Sequence, residues 1–358
     1  MNTNNPFSQL RTSLKQWLDR QTSPTDIRIG LWGTVGSGKT TYLAMLYDAL
    51  EDSEELRVEA GDDRADEFIN EHISTIDGGN FPPPTEIAKG KQLDIFTYIL
   101  RPEGGTRSIE LNFIDAPGKF YEDFRGNTDQ KVQIVEGQEN QETLGDIVDY
   151  LRSCDGIIFL LDPIRSKEDG ESYKTLVLRL FREFQRRSRQ QGTDTKLQQY
   201  MVFCVTKCAK KEIWTQGKKS ADLAKEVMGG KLFRRLRTNY CLPGRYEFFS
   251  VASIGLCQDK DGHWKEAVIY PDIPDSSSTS KPQAPQPYQQ GYDPDAPFGR
   301  PNPPDDDWAD LNKTSRNAEP PQIPVPTINT EVEHEPINVI EPIQWLIQSI
   351  QKKPPSRL

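Results

Sequence analysis

Apolar positions along this chain change period repeatedly, and the changes outline its elements. Phe7, Leu10, Leu14, Trp17 and Leu18 fall at helical spacing, predicting a helix over 5–20 that Pro24 ends. Residues 26–32 form a β-type run, and 40–50 carry a helical stripe. Two β-rich runs, 93–100 and 108–114, flank Glu103-Gly104-Gly105, a hairpin signal. A helical pattern over 146–153 precedes a wholly apolar run at 156–161. Then follow a helix at 174–189, a strand at 200–205, a helix at 221–237 and a strand at 246–251. Strands that alternate with helices, some apolar on both faces, predict a three-layer α/β fold on a mostly parallel sheet.

One helical pattern stands apart. After a long polar stretch, Ile340, Ile343, Leu346, Ile347 and Ile350 form an apolar stripe with Trp345 beside it. So apolar a helix needs a surface to cover, and the strand at 246–251 lacks a following helix. The polar stretch therefore reads as an insertion, and the last helix as an element that returns to the sheet. Loop closure cost rises only logarithmically with length, which makes this affordable. The resulting division is an amphipathic helix at 1–25, an α/β domain at 26–270, the insertion at 271–336 and a completing helix at 337–352.

Composition explains the insertion. Hydrophobic residues make up 35% of the 358, and 15 of the 27 prolines lie between Pro271 and Pro336. That segment holds 12 acidic against 4 basic residues. It cannot bury enough apolar surface to offset its ordering entropy, so disorder is expected there. From Tyr173 to Glu247 the balance reverses, with 18 basic against 6 acidic residues. The plain reading is a solvated basic face; the sharper ones are an anionic partner or the acidic tail itself. No groove-reading or base-stacking motif accompanies it, so nucleic acid is not an expected partner. No apolar run is long enough to span a bilayer, and the N-terminus lacks the features of a secretory signal. Five cysteines and three scattered histidines suggest neither a disulfide framework nor a zinc site, so a cytoplasmic setting is expected.

The chemistry is concentrated in two places. Gly33-Thr34-Val35-Gly36-Ser37-Gly38-Lys39-Thr40 satisfies GxxxxGK[ST] in full, after a predicted strand and before a predicted helix that continues with Thr41. The three glycines allow a backbone whose N–H groups wrap phosphates at a helix N-terminus. Lys39 would reach the β- and γ-phosphates, and Thr40 would ligate Mg²⁺. Further on, Asp115-Ala116-Pro117-Gly118 follows an apolar strand. An acid at such a tip is suited to the metal's shell, and Gly118 can bring a backbone N–H to the γ-phosphate.

GTVGSGKT, FIDAPG, the hairpin between them and the later strand–Thr–Lys pattern resemble the Ras-like or translation-factor-type P-loop GTPase superfamily. GKTTYLAMLYDAL and FPPPT are similar to the bacterial double-GTPase group, often linked to conflict or defence systems. The resemblance implies a six-stranded, mostly parallel P-loop NTPase sheet with one antiparallel strand, and a cofactor pair of GTP and Mg²⁺. It also implies a switch threonine ligating the metal, for which Thr85 is the candidate; the alternative is a plain loop residue after a proline turn. Base contacts would come from Thr206, Lys207, Ala252 and Ser253.

The chain departs from the family pattern twice. The guanine-reading Asn/Thr-Lys-x-Asp is Thr206-Lys207-Cys208-Ala209. Ala209 cannot accept the hydrogen bonds that an aspartate takes from guanine, which leaves ATP open. Lys119 follows Gly118 where Ras-type enzymes carry a water-orienting glutamine. With only Arg64 and Arg125 nearby as finger candidates, slow turnover is expected. Three functions compete: a slow nucleotide-dependent switch, a nucleotide-bound scaffold recruiting proteins through the N-terminal helix, switch loops or acidic tail, and a metabolic kinase. Turnover with Mg²⁺ separates the first two, and acceptor-dependent phosphate transfer marks the third.

Overall fold

The computed structural model describes residues 27–54, 56–83, 95–102, 108–114, 147–190, 196–210, 213, 218–258, 264–269, 326–330 and 334–352. The chain divides into a unit made of 1–269 with 327–358 and a second unit at 270–326, and only the first is described beyond a single residue. The expected N-terminal helix and most of the acidic segment lie outside the described residues.

The strands of the main sheet are β1 (Arg28–Gly33), β2 (Leu56–Ala60), β3 (Ile95–Pro102), β4 (Ile109–Ile114), β5 (Gly156–Leu161), β6 (Tyr200–Val205) and β7 (Tyr246–Ser250). Their order is β2-β3-β4-β1-β5-β6-β7. β3 runs antiparallel to both its neighbours, and every other adjacent pair is parallel. The sheet thus has seven strands where the resemblance implies six. The extra one, β2, buries only Leu56 of its five side chains. At an edge, with charged residues among its outward positions, it leaves almost no hydrophobic pattern to read.

The helices are α1 (Lys39–Glu51), α2 (Asp63–Asp77), α3 (Pro163–Asp169), α4 (Glu171–Gln190), α5 (Ser220–Arg235) and α6 (Glu341–Lys352), and residues 147–153 form a further helical segment. α2 and α3 carry no counterpart among the predicted elements. α5 breaks at Gly229 (φ 73°) and continues into a π-helical turn, Leu236–Tyr240.

Strict alternation along the central strands divides the core into two layers. Ile157, Phe159 and Leu161 of β5, with Met201, Phe203 and Val205 of β6, face 147–153, α4 and α5. Ile158 and Leu160, with Tyr200, Val202 and Cys204, face α1 and α6. On the first face Phe159, Phe203 and Phe248 stand at paired register positions, with centroids 5.0 and 5.4 Å apart, as a stacked row. Cross-strand aromatic pairs of this kind stiffen a sheet.

α6 lies against β5 and β6, with Ile343, Leu346, Ile347 and Ile350 all buried. The approach is close: a Cβ at Gly156 would come within 3.1 Å of Leu346 Cδ2. The fully buried Tyr42 hydroxyl of α1 donates to the Val339 carbonyl at 3.1 Å, and Asn338 Nδ2 donates to the Ser250 carbonyl at 2.8 Å. The last segment is thus tied to α1 and to the end of β7. Composition places the end of the acidic segment at residue 336, but structure begins earlier. β11 (Thr327–Ile328) pairs with β10 (Val268–Ile269), and β12 (Glu335–Ile337) pairs with β8 (Ala252–Gln258), which also pairs with β9 (Trp264–Glu266). Backbone pairing, with Ile328 buried, orders this stretch despite its polar composition.

Candidate nucleotide site

The carboxyl ends of β1, β5, β6 and β7 open onto one edge of the sheet, the place where open α/β sheets bind ligands. β1 delivers the loop 33–38. Gly33 admits no side chain, since a Cβ there would lie 2.4 Å from Ser37 Oγ and 3.1 Å from Leu160 Cβ. Gly36 (φ 68°) and Gly38 (φ 84°) adopt left-handed conformations that favour glycine. Gly38 begins α1 without a side-chain cap, and the first turn of α1 carries no acidic residue. The positive end of the helix is therefore offered to an external anion.

The Lys39 ammonium is buried and donates to the carbonyls of Gly33 at 2.9 Å and Thr34 at 3.1 Å, folded back over the loop. Thr34 Oγ1 and Ser37 Oγ are buried without a hydrogen-bond partner in the structure. Unsatisfied buried hydroxyls carry a desolvation penalty. Two of them in one loop, beside a buried ammonium, fit a phosphate chain. Thr40 and Thr41 follow in the first turn of α1, both half-buried. The proposed metal residues Asp115 and Thr85, and also Gly118 and Lys119, lie outside the described residues. Among the described residues no group of three or more His, Cys, Asp or Glu side chains could hold a metal. A Mg²⁺ carried on phosphates needs few protein oxygens, and the Thr40 hydroxyl is a suitable one.

β6 delivers the other half of the site. The Thr206 N–H and hydroxyl both donate to the Leu161 carbonyl, at 2.9 and 3.2 Å. Lys207 adopts φ 58°, and its ammonium pairs with Asp162 Oδ2 at 2.7 Å. The Cys208 N–H donates to the Val251 carbonyl at 3.1 Å, tying this turn to the end of β7. Burial pushes the Cys208 thiol up to about 12, so it stays neutral. Ala209 is buried. Ala252 packs into the core at the start of β8, and Ser253 beside it is half-buried.

Two residues at this edge are absent from the motifs. Asp162 follows β5 and is almost wholly buried. Its Oδ1 accepts from the backbone N–H groups of Ile164 (2.9 Å) and Arg165 (3.1 Å), capping α3, while its Oδ2 takes Lys207. Arg165 Nη1 donates to the Val35 carbonyl of the phosphate loop at 3.0 Å, and its Nε to Asp169 Oδ2 at 2.9 Å. A legible signal did exist: Asp-Pro directly after an apolar strand is an N-cap followed by proline at the first helical position. Arg64, one of the finger candidates, sits in the first turn of α2, and Arg125 lies outside the described residues.

The profile of the Double-GTPase 2 family matches residues 27–238, from β1 to the π-helical turn and more than half of the chain. The chain belongs to that family. The mostly parallel sheet and the phosphate loop of this chain are those of a P-loop NTPase fold. Similar solved structures include the Arl6 (BBS3) small GTPase of Trypanosoma brucei with bound GppNp, at 15% identity, 64% of this chain, 88% of that chain and TM-score 0.30. The GTP-bound Ski7 GTPase-like domain of S. cerevisiae is 15% identical over 67% of this chain and 46% of that one, TM-score 0.38. The bacterial selenocysteine-specific elongation factor EF-Sec is 16% identical over 64% and 26%, TM-score 0.29. The match thus spans less than half of the Ski7 and EF-Sec chains. No curated protein matches the sequence. No described helix is long and apolar enough to cross a membrane.

Proposed function

We propose that this chain binds a nucleoside triphosphate with Mg²⁺ and works as a slow GTPase-type switch, hydrolysing GTP to GDP. The observation that carries the reading is the loop 33–40. It combines left-handed glycines, a buried ammonium and two buried unpartnered hydroxyls at an uncapped helix N-terminus. Lys39 and the loop N–H groups would hold the β- and γ-phosphates, and Thr34 and Ser37 would donate to phosphate oxygens. Thr40, with Asp115 and Thr85, would hold the metal, and Gly118 would meet the γ-phosphate. Bound Mg²⁺ supplies neutralisation of the charge that develops on the phosphates. Thr206, Lys207, Ala252 and Ser253 would flank the base. The unit that does this is 26–270 completed by 337–352, in a bacterial cytoplasmic signalling or conflict system, with protein partners for the N-terminal helix, switch loops or acidic segment.

Two features qualify the chemistry. Lys119 lacks the acceptor that a water-orienting glutamine provides, which favours slow turnover or a scaffold that scarcely hydrolyses. Ala209 lacks the carboxylate that reads guanine, which favours weak discrimination between GTP and ATP. The test is calorimetry of Mg²⁺-nucleotide binding by wild-type chain and Lys39→Ala. Binding lost in the variant, with the unfolding midpoint kept, supports the reading; wild-type affinity in the variant overturns it.

A further inference from the structure

Arg165 occupies an unusual place. It is not in the phosphate loop, yet its guanidinium reaches that loop's backbone at the Val35 carbonyl, 3.0 Å away. Its side chain is only 14% exposed, and Asp169 pins its other edge through Nε at 2.9 Å. The turn that carries it is fixed in turn, because the buried Asp162 carboxylate caps the Arg165 N–H. The guanidinium is thus locked before any ligand arrives.

The peptide geometry gives this contact a consequence. No described peptide bond is cis, so the Val35 C=O and the Gly36 N–H lie in their shared plane and point in opposite directions across the C–N bond. A carbonyl turned to Arg165 therefore directs the Gly36 N–H away from Arg165. A cation on the carbonyl oxygen also draws electron density through the peptide and makes that N–H a stronger donor. Gly36 needs such a hold, since it sits at φ 68° in open space with nothing packed where a Cβ would be. On the far side, the same Asp162 carboxylate grips Lys207 of the base-side loop. One buried carboxylate and one guanidinium therefore join the two halves of the site.

We propose that Arg165 is a positioning residue of the phosphate loop: it aims and polarises the Gly36 N–H toward a polyphosphate without touching it. This rests on the reading of 33–40 as a phosphate site. The test uses the full chain as wild type, Arg165→Met and Arg165→Lys. Calorimetry reads Mg²⁺-GTP, Mg²⁺-GDP and Mg²⁺-tripolyphosphate affinity, and thermal unfolding without ligand is measured alongside. Arg165→Met is expected to weaken all three ligands about tenfold, the scale of one charge-assisted hydrogen bond. Arg165→Lys, which keeps the cation, is expected to restore most of the loss for tripolyphosphate as well as for nucleotides. A role confined to packing would lower the unfolding midpoint and leave tripolyphosphate affinity unchanged, and that result overturns the proposal. Unchanged affinity in Arg165→Met, beside a wild type that binds, removes the Arg165 role alone. A wild type that binds none of the three removes the site reading itself.

Discussion

Replacing Asp162 by alanine removes two separable interactions, and their sizes can be set from the structure. The first is the cap on α3, where Oδ1 accepts from two backbone N–H groups at 2.9 and 3.1 Å. Losing a cap of this type costs about 1 kcal/mol. The second is the ion pair with Lys207 at 2.7 Å. Asp162 is 2% exposed there but Lys207 is 31% exposed, so the freed ammonium can turn to water. Solvent screening keeps this part to roughly 1 kcal/mol. Asp162→Ala should therefore lower stability by about 2 kcal/mol, a fall in Tm of roughly 4–8 °C for a domain of this size. Asparagine caps as well as aspartate but carries no charge. Asp162→Asn should thus lose only the pair and fall about half as far. In a double-mutant cycle, Asp162→Ala and Lys207→Ala should couple by about 1 kcal/mol. The assay is thermal and urea unfolding of ligand-free protein. If Asp162→Asn were as damaging as Asp162→Ala, the cap would carry nothing; an additive cycle would refute the pairing.

Gly33→Ala should weaken nucleotide binding at least tenfold in calorimetry, because its Cβ would meet Ser37 Oγ at 2.4 Å and Lys39 Cγ at 3.2 Å; overpacking of this kind costs about 1–3 kcal/mol. Leu346→Ala, at a fully buried contact of α6 with β5, should cost about 2–5 kcal/mol in urea unfolding, and a neutral result would mean that α6 does not hold the core. Burial alone would raise the pKa of Glu183, but hydrogen bonds from Arg186 and Arg187 outweigh it and hold the carboxyl below its ordinary value. The stabilisation from Glu183 is then complete above about pH 4.3 and drains away as pH falls through the lower folded value. Glu183→Gln should flatten that acid limb of the stability curve.

The sequence was most readable where one physical signal dominated. β5 and β6 are apolar on both faces, and their limits, 156–161 and 200–205, follow from composition alone. The phosphate loop declares itself because glycines, lysine and threonine stand at fixed offsets between a strand and a helix. Fold class and family were legible from these. β2 was not, since an edge strand with one buried residue has no period to detect. α2 escaped because its stripe of Ala65, Phe68, Ile69 and Ile76 is diluted by charge, although Asp62 caps it by accepting from Ala65 N–H at 2.9 Å. β11 and β12 were hidden inside an acidic stretch, where pairing partners far away in sequence decide the outcome. Arg165 could not be found by motif, because its role lies in one contact across 130 residues of chain. Lys207 could be placed near the base by pattern, but not paired with Asp162.

The position of α6 has a consequence for how the protein is made. β5 and β6 leave the ribosome long before residues 341–352, and the whole stretch from Tyr270 to Ile340 is synthesised in between. Until α6 emerges, the side of the sheet built from Ile158, Val202 and Cys204 has only α1 of its two covering helices. A nascent chain thus displays an apolar surface for the full time needed to translate that stretch, a natural holding point for chaperones. Because α6 is joined to the rest only through that stretch, a single proteolytic cut before Thr327 would leave the terminal segment held by strand pairing, hydrogen bonds and packing, with no covalent link. The domain then behaves as a two-fragment complex, whose integrity depends on concentration rather than on chain connectivity.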